Sequence, residues 1–500
     1  MPNKVTKAFI KVGFWTFISR IFGFFRDVLL AAALGAGFLS DIFFIAFKLP
    51  NMFRRLTAEG ALVQSFLPQY ISEKNKGTNE QAKKFSSEVQ SILLFILLLI
   101  VIVFEIFMGL VISILAPGFK EDPEKFQMTI DFASITITYL PMVSLMALWG
   151  SIAQASGSFF PLAAAPIILN LTLISGCVLI ISELVDPIFL AFMVPMAGIL
   201  QLIFVGLWVK KLGFFPHFII LKLTDKTKIV WKKFLPASLG AGLLQLNLLV
   251  DTILATLVGS GAVSFLYYAD RVAQLPLGII GIALGTALLP NLSDAENKND
   301  LKYINTNLIN AIKIGAIFSI PACVSFIILP SLLVEVIFAR GAFLESEIHN
   351  VSLALSAYGF GVPAFVFIKI LQSSFFAMGD TSTPFKVSVL SVFFNIILSY
   401  LLMHFFGHFG IALATSIVAY TVFFILFFIL LKKKRLTSEV FRKLFLIIIL
   451  ILPFTIALIL GYNLISYINF NVYLSLVLLI LSVSIIWFCL IYIFGLIKMN

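Results

Sequence analysis

Charge is the first thing this chain is short of. Lys, Arg, Asp and Glu make up 12% of its 500 residues, 61% are hydrophobic, and mean hydropathy is +1.08. That leaves too little polar surface to clothe a water-soluble globule of this size. Cysteine is scarce as well. Cys177, Cys323 and Cys489 each sit inside an apolar run with no pairwise spacing, so neither a disulfide framework nor a metal site is expected. Phosphate-binding and hydrolytic motifs are missing: there is no Walker A loop, no HExxH and no GxSxG elbow. ATP-driven pumping and hydrolysis lack their chemical parts, so neither catalytic residues nor a bound cofactor is expected. No n-region, h-region and cleavage site opens the chain, because Lys4, Lys7 and Lys11 lead into a helix that carries Arg20 and Arg26. The N-terminus is therefore expected to be kept.

What is abundant is apolar sequence in lengths that suit a bilayer, about twenty residues at a time. The pattern predicts an all-α polytopic membrane protein of about fourteen spans. They fall at 8–34, 39–72, 88–115, 126–155, 160–182, 187–209, 229–258, 262–292, 305–336, 347–377, 382–405, 407–431, 441–462 and 472–496. The net charge of +11 gathers in short connections between these runs, where it acts as a topology signal rather than a nucleic-acid surface. Lys74, Lys76, Lys83 and Lys84 fill one such loop, seven lysines lie within 210–233, and Lys432, Lys433, Lys434, Arg435, Arg442 and Lys443 form another. The connections at 35–37, 182–187 and 461–471 hold no Lys or Arg. That alternation places both termini in the cytoplasm and requires an even number of spans.

Internal repetition organises the chain further. DVLLAAALGAGFLS, Asp27 to Ser40, lies over DTILATLVGSGAVS, Asp251 to Ser264, at an offset of 224. Each copy ends a long span in a tight turn where glycine reaches positive φ without a Cβ clash. The expected organisation is an N-lobe at 1–212, a parallel-repeat C-lobe at 213–435 with a site between the two, and a two-span appendage at 436–500.

Ionisable residues inside the spans carry most of the functional information. Arg20 and Arg26 lie roughly 14 and 22 Å beyond Lys11 along the first helix, deep in a hydrocarbon layer of about 30 Å. Asp41, Lys48 and Arg55 follow at intervals of seven on one face of the second span, with Arg54 beside them, Glu59 one turn on and Pro50 interrupting the backbone ladder. In the eighth span Asp270 and Arg271 interrupt an apolar run. Four arginines facing lipid would cost on the order of 10 kcal/mol, so Arg20, Arg26, Arg54 and Arg271 must face a hydrated cavity, a carboxylate or a ligand. One alternative is that they only pair with Asp27, Asp41, Glu59 and Asp270 to hold helices together. The surplus of cations, and the fit of a guanidinium fork to phosphate, favour an anion site. A separate candidate cation site combines Asp251 with the neutral oxygens of Asn395 and Thr415, since hard cations take oxygen ligands; Na+ or H+ would be the coupling ion.

Three charge-bearing segments resemble a known family: SRIFGFFRD at Ser19 to Asp27, SDIFFIAFKLPNMFRRLTAEGALVQSFLP at Ser40 to Pro68, and YYADRVAQLPLGIIGIALGTALLP at Tyr267 to Pro290. They are similar to the MurJ (MviN) lipid II flippases of the multidrug/oligosaccharidyl-lipid/polysaccharide exporter superfamily, a likeness that covers nearly the whole chain. It implies fourteen helices, two six-helix lobes around a cationic cavity, and a groove by the last two helices for a polyprenyl tail. Arg20, Arg26, Arg54 and Arg271 match the family arginines that meet the pyrophosphate-sugar headgroup, and Asp41 matches an acid there. Ser19, Lys48 and Arg55 join them as candidate substrate-binding residues. Gln274 stands where some members carry an acid. The implied role is translocation of lipid II for cell-wall synthesis by alternating access. The implied setting is the bacterial inner membrane, with membrane lipids as the other partners and a monomeric protein. An ion gradient or the membrane potential would supply energy, the latter about 2.3 kcal/mol per charge per 100 mV. Two alternatives stand beside this: export of another lipid-linked oligosaccharide, and a MATE-like drug or cation antiporter, which would be expected to line its cavity with acids.

Overall fold

The computed structural model describes residues 4–57, 60–468 and 471–496. Among the described residues every regular element is helical. The first ten helices are α1 (Lys4–Leu34), α2 (Phe38–Thr57), α3 (Ala61–Lys76), α4 (Asn79–Ile106), α5 (Met108–Leu115), α6 (Pro123–Ile137), α7 (Tyr139–Ala155), α8 (Phe160–Ile181), α9 (Phe189–Lys211) and α10 (Asp225–Val258). They are followed by α11 (Ala262–Pro276), α12 (Ile282–Asn297), α13 (Leu301–Ile328), α14 (Pro330–Phe338), α15 (Glu345–Ala377), α16 (Ser382–Lys432), α17 (Glu439–Ile468) and α18 (Val472–Ile493). Among the described residues ten helical stretches, counting α6 with α7 and α11 with α12 as one each, are long and apolar enough to cross a membrane.

Several expected spans are broken where the backbone leaves helical geometry. The second divides into α2 and α3, with Gly60 (φ −137°) opening α3, and the Glu59 candidate lies outside the described residues. The ninth breaks at Leu329 (φ −117°), because the ring of Pro330 disfavours the helical conformation in the residue before it. The eighth passes through a π turn at Leu277–Gly281. In α16, 51 residues long, Gly407 sits at φ 58° and ψ −137° and divides it into two helices at the place where sequence separates 382–405 from 407–431.

The chain forms two compact units: Met1–Ser264 with Arg340–Phe343, and Phe265–Ala339 with Leu344–Asn500. In the first, α6 and α7 are central, with 78% of their apolar window buried. Tyr139 donates to Gln201 Oε1 (2.9 Å), Gln201 donates on to the Ala165 carbonyl (2.8 Å), and Trp149 Nε1 donates to Gln90, so amide side chains staple α7 to α9, α8 and α4. Thr136 Oγ1 ties α6 to the Ala46 carbonyl of α2 at 2.8 Å. Helix α10 packs in this unit against α2, α3, α4 and α5.

Two backbone approaches close the unit, and both need glycine. A Cβ on Gly118 would lie 1.9 Å from the Thr256 carbonyl oxygen near the end of α10. One on Gly341 (φ +61°) would lie 2.3 Å from the Ala32 carbonyl oxygen near the end of α1, which also accepts from the Ala342 amide at 2.8 Å. Ala32 and Thr256 are equivalent positions at the 224-residue offset. At the same offset α1 and α10 end, at Leu34 and Val258, and α2 and α11 begin, at Phe38 and Ala262.

In the second unit α15 is the buried centre, again with 78% of its window covered, against α12, α13, α14 and α16. Helices α17 and α18 are peripheral, each only 22% covered, and turn broad apolar faces outward. Leu450, Phe454 and Leu458 meet Leu479, Val483 and Trp487 in the core they share, and Trp487 Nε1 donates to the Ile317 carbonyl of α13 at 2.9 Å.

Candidate functional site

The charged stripe of α2 is met along its length by α10 and the turn that follows it. Arg55 Nη1 donates to Gln245 Oε1 at 3.0 Å, and one heptad back Lys48 Nζ donates to Thr252 Oγ1 at 2.8 Å. Gln245 and Thr252 also stand seven apart, so two helices running in opposite directions present polar groups at the same period. Thr252 passes its own hydroxyl hydrogen to the Leu248 carbonyl at 2.7 Å, which leaves its lone pairs toward Lys48.

The third rung is different in kind. Asp41 is fully buried and accepts four hydrogen bonds: from Lys125 Nζ (2.8 Å), the Gly261 amide (2.7 Å), the Ser264 amide (2.9 Å) and Ser264 Oγ (2.7 Å). Gly261 and Ser264 open α11, so the carboxylate of one helix caps the positive end of another. Lys125 Nζ donates also to Ser260 Oγ at 3.0 Å and lies 4.3 Å from the Phe119 ring centroid.

Arg26 is held on the other side of α1. It is 9% exposed; its Nε and Nη2 reach Asp27 Oδ1 at 3.1 and 2.7 Å, and its Nη1 reaches Asn170 Oδ1 of α8 at 3.0 Å. Asn170 in turn donates to the Ser19 carbonyl at 3.0 Å, so one amide fixes both Arg26 and the Ser19 backbone. Arg54 is half-buried, with Nε donating to Asn51 Oδ1 at 3.1 Å, and Arg20 lies exposed on α1.

In the second unit Arg271 donates to the Tyr267 hydroxyl at 3.0 Å, and its guanidinium lies 4.8 Å from that ring's centroid. Gln274, at the position read as a departure from the family, donates to Asp270 one turn back. The proposed cation ligands fall in different units. Asp251 is buried on α10, while Asn395 is buried in the first half of α16 and Thr415 is half-buried in the second, bonded to the Ile411 carbonyl at 3.2 Å. Among the described residues no three His, Cys, Asp or Glu side chains gather as a metal site.

A profile of the lipid II flippase MurJ family matches residues 30–483. The chain belongs to that family. The probable lipid II flippase MurJ of Rickettsia prowazekii (strain Madrid E) is 38% identical over 440 residues, covering 87% of this chain and 86% of the relative. Among solved structures, a lipid II flippase MurJ in an inward closed conformation superposes with a TM-score of 0.81 at 27% identity, covering 97% of this chain and 99% of that one. An inward-facing multidrug-resistance MATE transporter of the MOP superfamily shares the fold, with TM-score 0.70, 13% identity, and coverage of 87% and 99%. The chain is thus a multi-pass, all-α membrane protein of the MurJ family that shares its fold with that MATE transporter.

Five polar residues of this MurJ-family site were not singled out by sequence: Lys125, Asn170, Gln245, Thr252 and Ser260. Four are neutral side chains in or beside apolar runs, where no spacing rule marks them. Lys125 carried a signal, a cation two residues into a helix that opens at Pro123, yet it reads as a loop lysine until Asp41 is placed beside it.

Proposed function

We propose that this chain moves lipid II from the cytoplasmic to the outer leaflet of the bacterial inner membrane by alternating access, making and breaking no covalent bond. The observation that carries the reading is the set of cations Arg26, Lys48, Arg54 and Arg55 on α1 and α2, helices that are otherwise largely apolar. A pyrophosphate-sugar headgroup cannot cross hydrocarbon, and fixed guanidinium and ammonium groups supply the counter-charge that its hydration shell gives in water.

The heptad ladder between α2 and α10 gives alternation a physical form. At the Arg55 and Lys48 rungs α10 contributes an amide carbonyl and a hydroxyl, uncharged acceptors that an arriving phosphate replaces with charged ones. At the Asp41 rung a buried ion pair and a helix cap close the opposite end more firmly. The ends then open at different cost, and headgroup binding favours opening the weaker one.

In this reading α1, α2 with α3, and α10 cross the membrane beside the ten apolar stretches, and the two halves of α16 count separately, giving fourteen spans. Spans one to six (1–212) and seven to twelve (213–435) form the lobes, 436–500 carries the tail groove, Arg271 lines the cavity from the second lobe, and Arg20 lines it from the first. Both termini are cytoplasmic and the protein acts as a monomer. Asp251, with Asn395 and Thr415, takes the coupling cation, or the membrane potential alone drives the cycle.

The test is depletion of the protein in its bacterium with lipid II assayed on the outer face. Continued appearance there, with no redundant flippase, would sink the assignment. Accumulation of a different lipid-linked oligosaccharide inside would instead favour the related exporter. Arg20, Arg54 or Arg271 replaced singly by Ala should lose transport at normal membrane levels, and so should Arg26→Ala combined with Asp27→Asn, since Arg26→Ala alone strands the buried Asp27 carboxylate.

A further inference from the structure

Neighbouring residues on one helix cannot aim each other well. Arg26 and Asp27 leave α1 about 100° apart, so the guanidinium folds sideways to bring Nε and Nη2 onto Asp27 Oδ1. Its third nitrogen is set from another helix: Nη1 donates to Asn170 Oδ1 of α8 at 3.0 Å. A planar group held at Nε, Nη1 and Nη2 together is fixed in direction as well as in place. Asn170 is itself 5% exposed and locked at its other end, where Nδ2 donates to the Ser19 carbonyl at 3.0 Å and lies 3.5 Å from where a Cβ on Gly23 would stand. Reversing the amide would set its NH2 against the guanidinium and its carbonyl against that of Ser19, so a single orientation is allowed.

The charge of this partner matters as much as its shape. Asp27 already matches the charge of Arg26 across 2.7 Å. A carboxylate at position 170 would grip the guanidinium more firmly, yet it would leave the three side chains net negative where an anionic headgroup has to arrive. An amide sets the direction and adds no charge. The same choice recurs on α2, where Arg54, Arg55 and Lys48 donate to the uncharged oxygens of Asn51, Gln245 and Thr252.

We propose that Asn170 is a positioning residue for headgroup binding: from α8 it aims the Arg26 guanidinium with an uncharged oxygen and keeps a second carboxylate out of the site. The proposal rests on the flippase reading above and deepens it, since Asn170 acts through Arg26 and not on the headgroup itself.

The test uses the purified full chain in lipid nanodiscs at about pH 8, where an introduced acid is ionised, and measures binding of lipid II carrying a fluorophore on its peptide. Asn170→Asp keeps a bond to Arg26 but adds a charge, and should weaken binding more than about tenfold. Asn170→Leu loses both hydrogen bonds and adds no charge, and should weaken it only about fivefold. A mere brace between α1 and α8 would give the reverse order. Asp27→Asn combined with Asn170→Asp returns the count to one carboxylate and should bind within about twofold of the parent. If Asn170→Asp alone does not fold, that double variant decides against Asn170→Leu. Tighter binding by Asn170→Asp than by Asn170→Leu, or a double variant no better than Asn170→Leu, would overturn the proposal. A parent chain that binds no lipid II would instead overturn the flippase reading, and this proposal with it.

Discussion

Lys125 Nζ and Asp41 Oδ2 lie 2.8 Å apart although 84 residues separate them in the chain, and their side chains are 3% and 0% exposed. Such a pair holds its geometry because both partners are also saturated by neighbours: Asp41 by the start of α11, Lys125 by Ser260 and the Phe119 ring. Removing one partner strands the other charge away from water, which is the expensive outcome, whereas removing both charges is mild by comparison.

Lys125→Met and Asp41→Asn should each therefore destabilise the folded protein by about 3–5 kcal/mol. The double variant should cost clearly less than the two added together. Reversible unfolding of the four proteins, arranged as a double-mutant cycle, measures the coupling; strict additivity would mean that the two side chains do not depend on one another.

The upper rungs of the ladder predict a different pattern, because Gln245 and Thr252 meet their cations with uncharged oxygens. Gln245→Glu and Thr252→Asp place a carboxylate in each rung, strengthening the contact and competing with an incoming phosphate. Flipping should fall about tenfold or more at unchanged membrane abundance, while Gln245→Ala and Thr252→Val should reduce it only a few-fold. Full activity in both acidic variants would remove α10 from the gating role.

Gly118 and Gly341 should tolerate no side chain. A methyl at either would press on the backbone carbonyl of Thr256 or Ala32, and backbone cannot turn aside as a flexible side chain can. Gly341 carries the added cost of its positive φ. Gly118→Ala and Gly341→Ala are expected to lower the melting temperature by several degrees, the latter more, whereas Gly13→Ala, inside α1 with nothing within 4 Å of the added carbon, should not lower it.

Asp380, in the connection between α15 and α16, is held well below the ordinary carboxylate range, at about 2, first by the hydrogen bond from Lys433 and then by the Thr383 amide. A depressed acid stabilises the fold fully above its ordinary value near 4 and loses that contribution as pH falls through the folded value. The difference in melting temperature between the parent and Asp380→Asn should be constant from about pH 7 to 5 and close between about pH 4 and 2. A difference independent of pH would mean that the carboxylate charge contributes nothing.

How much of this was legible in sequence depends on the kind of signal. The heptad Asp41, Lys48, Arg55 is plain because three charges at a helical period stand out in an apolar helix, and the structure sets Lys48 and Arg55 against α10 and Asp41 against the turn that follows it. The 224-residue offset is plain too, and helix ends follow it to the residue. Hydropathy alone measures length and misses breaks such as Phe107 and Leu329, where one residue leaves helical geometry inside an unbroken apolar run. The partners were invisible for a related reason. Asn170, Gln245 and Thr252 are single neutral polar residues, and only the packing of α8 and α10 tells them apart from any other buried amide or hydroxyl.

The segment Arg340–Phe343 belongs with the first unit although it lies 75 residues beyond its main stretch, and its Ala342 amide completes the end of α1. On a ribosome delivering N-terminal helices first, α1 must wait in the membrane until more than three hundred further residues have been made before its last carbonyl partner arrives. Biogenesis of this protein is therefore not a sequence of finished halves. A nascent chain stopped after α9 should be more open to protease than one extended past Phe343, so the state of the first helix reports whether synthesis has passed that segment.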